Sequence, residues 1–455
     1  MPVALELLRI AAREIVRALA VPLHLVAFLL RRARWREVAD LALAAPSPAS
    51  SEDREAIARV VPRVTGTPRV FLSCGEASGE ELALRLLDGL DALRAGQPTS
   101  EPAAPAPRIF AFGGARLRAR GVDLRFPLAE HAVMGLAGVL RSIPVLIRAL
   151  ACYLRLLQNE RPDLVVLIDY PGLHLVMAEA ARRRGIPVVH WVAPQYWAWG
   201  PWRMRRYRHA VDATLTILPF EPAFFAATGL ASRYVGHPLL DAPAAARHPG
   251  VDGDRPILLL LPGSRRKEIA LHLDAMVDVA RTLRRHDPGL RVLVAHRDPE
   301  RVASIEARLA ALPDAGFVEV VAADPSGVLP RARACLVKSG TGSLQACLAQ
   351  VPSVVVYVVQ GPLARLVRRH LLTVPFFASA NLCMARAIVP EFAIERPNDW
   401  DRAGRALASL WDDGPARTQC LRDLADLRAR LGEPGASRRA ALWIHALSRG
   451  EGSSA

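Results

Sequence analysis

Four short stretches combine residue types able to hold an anion and to move a proton. In Leu261-Pro262-Gly263-Ser264-Arg265-Arg266-Lys267-Glu268-Ile269, a turn of glycine, serine and basic residues follows the apolar run Ile257–Leu261. An amphipathic pattern from 267 to about 285 comes next. A strand, a turn and a helix start in that order offer backbone N–H groups and positive charge to a phosphate. The same Arg265 and Lys267 could simply solvate a helix start. Lys338-Ser339-Gly340-Thr341-Gly342-Ser343 repeats the arrangement, with N–H and hydroxyl donors suited to a diphosphate or to helix capping. It lacks the spacing of a Walker A loop. Residues 73–80 place Ser73, Gly75, Glu76, Ser78 and Gly79 at a third turn, small enough for a ligand to reach the backbone or just for a tight bend. Asp169 ends the apolar run Leu164–Ile168. A carboxylate at the carboxyl end of a central parallel strand can serve as a general base, or merely cap the next helix.

Such turns need alternating strands and helices to position them. Continuous apolar runs, as in parallel strands covered on both faces, predict strands at 69–72, 108–112, 164–168 and 187–192 in a first α/β half. A second half has strands at 257–261, 291–295, 317–321, 334–337 and 353–358. Between them, 241–256 is rich in Pro, Ala, Gly and Asp and reads as a hinge. The expected division is an N-terminal helical extension and linker (1–66), two α/β domains (67–245 and 246–420), and C-terminal helices with a polar tail (421–455).

The net charge of +15 points to anionic partners. No RNA-binding motif, zinc finger or basic–aromatic block accompanies it, so nucleic acid is not expected. The six cysteines form no C-x-x-C pair, which predicts reduced thiols and no metal site. Residues 18–30 are apolar apart from His24, are interrupted by Pro22, and are flanked by Arg13, Arg17, Arg31, Arg32, Arg34 and Arg36. That run is short for a membrane span. The A-x-A at 42–44 lies beyond the arginines, so a helix in the membrane interface fits better than a cleaved signal peptide. Packing on the body is the alternative. Residues 133–147 are also apolar, with Arg141, Arg148 and Arg155 spaced by seven. They read as a core helix with a solvated edge, or as a membrane-docking face. Trp197 and Trp199, in an aromatic loop, suggest a binding surface or a packed lid.

Taken together, the motifs resemble the lipid-A-disaccharide synthases, inverting glycosyltransferases of the GT-B type. The carriers are S-C-G-E-A-S-G-E (73–80), F-G-G (112–114), V-M-G (133–135), I-D-Y-P (168–171), A-P-Q-Y-W-A-W (193–199), L-P-F-E (218–221), G-H-P (236–238), L-P-G-S-R-x-x-E-I (261–269) and S-G-T (339–341), in family order. The resemblance implies two Rossmann-like domains with an interdomain cleft, plus the extra N-terminal helical segment. It implies transfer of 2,3-diacylglucosamine from UDP to 2,3-diacylglucosamine 1-phosphate, giving a β-1,6 disaccharide 1-phosphate and UDP. It also implies no metal or other cofactor, a peripheral position on the inner face of the inner membrane, contact with anionic lipid, and room for a homodimer. Asp169 would then be the base and Arg265 a ligand of the departing UDP. Ser73, Gly75, Glu76, Ser78, Gly79, Met134 and Trp197 would line the acceptor side. Gly263, Ser264, Glu268, Ser339, Gly340, Thr341 and Gln345 would line the nucleotide side, with Asn381, Arg386 and Glu391 near the cleft or a dimer contact.

Three motifs depart from the family pattern: Glu80 stands for Asp, Gln345 for Glu, and Leu173-His174 for Phe-Asn. They keep two other readings open. One is a divergent GT-B enzyme, transferase or epimerase, acting on another UDP-sugar. The other is a non-catalytic, membrane-associated sugar-nucleotide-binding protein.

Overall fold

A computed structural model of the chain describes residues 2–46, 67–95, 106–131, 136–241 and 255–449; for 136–141 and 449 it gives the backbone alone. Met134 with its V-M-G motif lies outside the described residues, as do most of the linker, the 95–107 loop, the hinge and the polar tail. The chain forms two compact units, Met1–Asp241 with Pro434–Ala455, and Ala242–Glu433.

In the first unit, β1 (Arg69–Cys74), β2 (Arg108–Phe112), β3 (Asp123–Phe126), β4 (Leu164–Ile168), β5 (Val188–Trp191), β6 (Ala213–Thr216) and β7 (Ala231–Tyr234) pair in parallel. Their order is β3-β2-β1-β4-β5-β6-β7. The central strands are apolar throughout because both faces are covered. Phe71 packs on Phe112 and Tyr153, with ring centroids 5.1 and 4.9 Å away. On the other face Leu72, Val166 and Trp191 join Leu86 and Ile444 in one core. Strand order reverses at β1 and β4, where Cys74 pairs with Ile168. Gly75 and Asp169 therefore leave the sheet side by side at its carboxyl edge, where such sheets bind ligands.

The second unit repeats the plan. Its strands are β8 (Ile257–Leu261), β9 (Arg291–Ala295), β10 (Val318–Val321), β11 (Ala332–Lys338), β12 (Ser353–Val358) and β13 (Glu391–Ile394), in the order β10-β9-β8-β11-β12-β13. Here the reversal falls at β8 and β11, where Leu261 pairs with Val337. The turns after Leu261 and Lys338 are thus neighbours.

The segment expected at 421–455 divides between the units. Helix Pro415–Leu431 stays with the second, whereas helix Ala436–Arg449 packs on helix Ala77–Ala95 of the first. Contact is close: a Cβ on Gly89 would stand 2.9 Å from the Ala441 Cβ. The G-H-P motif seats this last helix. Gly236 has φ +92°, and a Cβ there would lie 2.4 Å from the Arg439 guanidinium, whose Nε donates to the Val235 carbonyl at 2.7 Å. Asp241 accepts the N–H groups of Gly435, Ala436 and Ser437 at 2.6, 2.9 and 2.7 Å. These are donors that a helix start leaves unpaired.

At the N-terminus, α1 (Val3–Leu19) and α2 (Val21–Ala44) meet at Ala20, and Pro22 falls in the first turn of α2, where its missing N–H costs nothing. α1 packs against helix Leu136–Asn159 and α2 against helix Glu221–Ala227. Helix Leu136–Asn159 buries Tyr153 and Leu154 but exposes Ile143 and Ile147, so it has both a core face and an outward apolar one. Among the described residues no helix is long and apolar enough to cross a membrane.

Replacing Asp241 by Ala removes one acceptor from three backbone donors. We expect a stability loss of about 1–2 kcal/mol in denaturant unfolding, with most of it recovered by Asp241→Asn. An unchanged midpoint in Asp241→Ala would deny the cap its role.

Candidate active site

The first unit gathers its chemistry around the end of β4. Asp169 and Tyr170 have φ of +51° and +53°, and Val192, after β5, has +62°. Left-handed backbone at non-glycine residues costs roughly 1–3 kcal/mol each, so neighbours must impose it. At Asp169 they do so from both sides. Its N–H donates to the Trp191 carbonyl at 2.9 Å. Its own carbonyl lies 2.6 Å from His174 Nδ1 and 2.9 Å from His190 Nε2. A carbonyl only accepts, so both imidazoles donate to it and occupy its two lone pairs. Burial keeps both rings neutral, pushing His174 down to about 3 and His190 to about 4. The remaining nitrogens must then accept: His174 Nε2 from the Ser73 hydroxyl at 2.9 Å, His190 Nδ1 from the Tyr207 hydroxyl at 3.0 Å.

With its backbone so held, Asp169 keeps a half-buried carboxylate. Burial raises its pKa, and the Glu76 charge adds to this, while the Tyr170 N–H opposes it. A carboxylate with raised proton affinity is suited to take a proton from a hydroxyl. Beside it, the Tyr170 ring covers Gly75 so closely that a Cβ would lie 2.2 Å from it. Glu76 and Ser78 stand at the start of helix Ala77–Ala95, and Gly79 lets that helix close on Cys74, 3.2 Å from a Cβ at that position.

In the second unit Glu268 organises the turns after β8 and β11. It accepts from the Ser264 N–H at 3.2 Å, Arg265 Nη1 at 3.2 Å and Lys338 Nζ at 2.9 Å. Burial alone would raise its pKa; the Lys338 hydrogen bond and charge, with Arg265, outweigh that and hold it ionised below its ordinary value. Gly263 (φ +123°) is pressed against it: a Cβ there would stand 2.6 Å from the Glu268 Cβ. One carboxylate between two cations leaves the cluster net positive by one. Arg265 remains 47% exposed on its side chain and can reach a ligand. The neighbouring turn ends in Gly340, with φ +150°, and starts helix Thr341–Leu348. Ser343 turns its N–H and hydroxyl back to the Gly340 carbonyl at 3.1 and 2.7 Å. The first N–H groups of that helix lie near exposed Gly340 and Thr341, where a helix start can receive an anion. Gln345 sits one turn further, half-buried. Among the described residues no group of three His, Cys, Asp or Glu is placed to hold a metal ion.

A family model described as lipid-A-disaccharide synthetase matches residues 70–439. The lipid-A-disaccharide synthase of Acidobacterium capsulatum is 36% identical over 397 residues, covering 82% of this chain and 94% of that protein. The chain belongs to the lipid-A-disaccharide synthetase family. The synthase of Myxococcus xanthus is likewise 36% identical over 391 residues, covering 83% and 97%. As a member of this family the chain is a glycosyltransferase. Solved structures share its fold. An S. aureus MnaA–UDP structure gives a TM-score of 0.57 at 12% identity, covering 84% of this chain and 96% of that one. The spinosyn forosaminyltransferase SpnP gives 0.52 at 16%, covering 84% and 99%. Together with the two doubly wound sheets, this is the GT-B architecture.

Several residues expected to line the site, and the divergent Glu80, are buried or paired within the protein. Ser73 is fully buried with its hydroxyl on His174. Trp197 is 3% exposed, its Nε1 donating to Glu221 at 3.0 Å and its ring edge-on to Phe220, so it belongs to the core; Trp199, 43% exposed, is the outward member of the loop. Asn381 is fully buried, giving Nδ2 to Val389 and Glu391 and taking the N–H groups of Ile388 and Val389. Glu391 accepts from Phe377 and Ala378, and Ser339 Oγ donates to the Phe377 carbonyl at 3.3 Å. The Asn381–Glu391 pair thus shapes the loop on which Ser339 rests. Arg386 pairs with Asp423 at 2.8 Å. Glu80 accepts the Leu117 N–H at 3.0 Å beside Gly114, so its extra methylene serves an inner helix start. The sequence reading missed Lys338, His174 and His190 as site-forming residues. Each had a signal: a lysine just before S-G-T, and histidines beside or within buried apolar runs.

His174→Leu leaves the Asp169 carbonyl with one imidazole, and we expect turnover to fall about 10²-fold with UDP affinity unchanged. His174→Asn, which keeps a donor, should restore most of the rate; equal rates in the two variants would exclude a positioning role. Glu221 accepts from Ile217, Leu218 and Trp197, and burial raises it to about 7. Glu221→Ala should cost about 2–4 kcal/mol in denaturant unfolding, since three donors lose their partner.

Proposed function

We propose that this glycosyltransferase joins UDP-2,3-diacylglucosamine to 2,3-diacylglucosamine 1-phosphate, giving the β-1,6 disaccharide 1-phosphate and UDP. The acceptor 6-hydroxyl attacks the anomeric carbon of the donor. Asp169 takes the hydroxyl proton as the new C–O bond forms. The bond between the anomeric carbon and the β-phosphate oxygen breaks on the opposite side, and UDP leaves with the electron pair. Arg265, the Lys338 charge and the N–H groups at the start of helix Thr341–Leu348 stabilise the negative charge on the departing diphosphate. In this reading those groups do the work that a metal would do elsewhere. The chain works at an anionic membrane surface, on the inner face of the inner membrane, because both substrates carry acyl chains.

The observation that carries the reading is Asp169: a half-buried carboxylate of raised proton affinity, on a backbone held by two imidazoles at the switch point of its sheet. The 36% identity to named synthases over most of their length supports the substrate pair. The epimerase-like neighbours, such as that of Neisseria meningitidis at 12% identity, speak to fold alone.

The test is to incubate purified protein with both substrates in the presence of EDTA. Disaccharide and UDP should appear in equal amounts; UDP released only from a different sugar nucleotide would overturn the assignment. Asp169→Asn should lose about 10²–10⁴-fold in rate with UDP binding intact. In the parent protein, turnover should fall as the pH drops through the pKa of Asp169. That acid limb should lie above the ordinary aspartate value, because burial raises it and the base acts only when ionised. Arg265→Ala should slow turnover about 10²-fold without moving the acid limb.

A further inference from the structure

We propose that the consecutive N-terminal helices α1 and α2 form an in-plane membrane dock that seats its apolar side at the headgroup–acyl boundary of an anionic bilayer. The two helices precede residue 70, where the family match begins. This inference deepens the membrane-surface reading above and rests on it.

The observation behind it is an inverted helix. A surface helix normally turns its apolar stripe to the core and its charges to water. α1 does the reverse. Its charged side faces the protein: Glu6, 5% exposed, pairs with Arg184 at 2.5 Å, Glu14 with Arg206 at 2.7 Å, and Arg17 and Arg206 with Glu179 at 2.9 and 2.8 Å. Glu179 is the hub. Burial opposes its charge, but hydrogen bonds from Arg206 and Arg17 prevail and bring it down to about 2. The opposite side of α1 carries Leu8, Ile15 and Leu19, exposed by 68, 61 and 76%. Their spacing of seven and four puts them on one face.

That surface continues into α2, where Leu23, Val26 and Leu30 are exposed by 73, 58 and 83%. The inner side of α2 is well packed: Phe28 is 2% exposed and meets Trp202 at 5.1 Å, and Ala39, Ala42 and Leu43 are buried. The exposure is therefore not that of a loose segment. One side is fastened by ion pairs and packing, and the other displays aliphatic side chains.

Charge identifies the occupant. Immediately after Leu30 come the exposed Arg31, Arg34 and Arg36, on a chain of net charge +15. Aliphatic residues beside arginines match the acyl region and the anionic headgroups of a bilayer surface. A second copy of the chain would bring two sets of arginines together around the same apolar seam. The charged inner side of α1, fastened to the body by Glu6, Glu14 and Arg17, sets the two helices along a surface in this proposal.

The test compares the full chain with Leu19→Glu/Leu23→Glu/Leu30→Glu by flotation with phosphatidylcholine vesicles, with and without phosphatidylglycerol. The parent chain should float with the anionic vesicles and release at high salt. The triple variant should bind at least about tenfold more weakly. Its circular dichroism and its turnover of detergent-dispersed substrates should be unchanged, because the substitutions are exposed and outside the site. Equal flotation of the two chains, or equal binding to uncharged vesicles, would overturn the proposal. So would a parent dimer in sedimentation that the substitutions dissociate without changing flotation, since a second copy would then cover the face. Turnover without docking would sink the dock and spare the transferase; docking without turnover would do the opposite.

Discussion

The carbonyl oxygen of Asp169 is the point on which the first unit's chemistry rests. It receives two imidazole N–H groups in a sheet edge that excludes water. Those bonds hold a left-handed backbone that a lone aspartate would abandon. They also define the protonation of everything behind them, because a neutral imidazole that donates from one nitrogen must accept at the other. Ser73 and Tyr207 supply those protons from opposite flanks. The carboxylate is thereby placed with the Tyr170 N–H as its hydrogen-bond donor. In the proposed role as base, a residue held chiefly through its main chain keeps its side chain available for a substrate.

In the proposed reaction the second unit meets a different problem by related means. A departing diphosphate calls for positive charge, yet two cations side by side would repel. Glu268 lies between Arg265 and Lys338 and also takes the Ser264 N–H, so one side chain sets both turns. His272 extends the frame: its Nδ1 donates to the Glu268 carbonyl at 2.8 Å and its Nε2 accepts the Val358 N–H at 3.3 Å. The ends of β8, β11 and β12 are thus joined through one helix.

Much of the architecture was legible because buried parallel strands are written as unbroken aliphatic runs. β2, β4, β8, β9 and β12 have the bounds those runs predict. β3, β6, β7 and β13 were not anticipated. Each has four residues, and D-L-R-F or A-T-L-T carries too little apolar signal to stand apart from a loop. For the site, position was readable and orientation was not. Asp169, Arg265 and the S-G-T turn follow strand ends, which sequence can locate. Whether Trp197, Asn381 or Glu391 faces a ligand or braces the wall depends on hydrogen bonds to residues far along the chain or on the fold of a loop. No local pattern encodes that. Even Glu80, a departure from the family pattern, is accounted for by an inner helix start.

The seat of the last helix has a consequence for how the molecule is made. Helix Ala77–Ala95 is translated before the second unit, whereas helix Ala436–Arg449, which covers Leu86 and Leu90 through Ile444 and its neighbours, follows it. The first unit therefore waits with part of its core uncovered while the whole second unit is translated. At roughly 5–20 residues per second, that is an interval of about ten seconds or more in which the nascent chain presents a sticky surface. The connectivity of the fold makes completion of the first unit's core depend on a segment that follows the second unit.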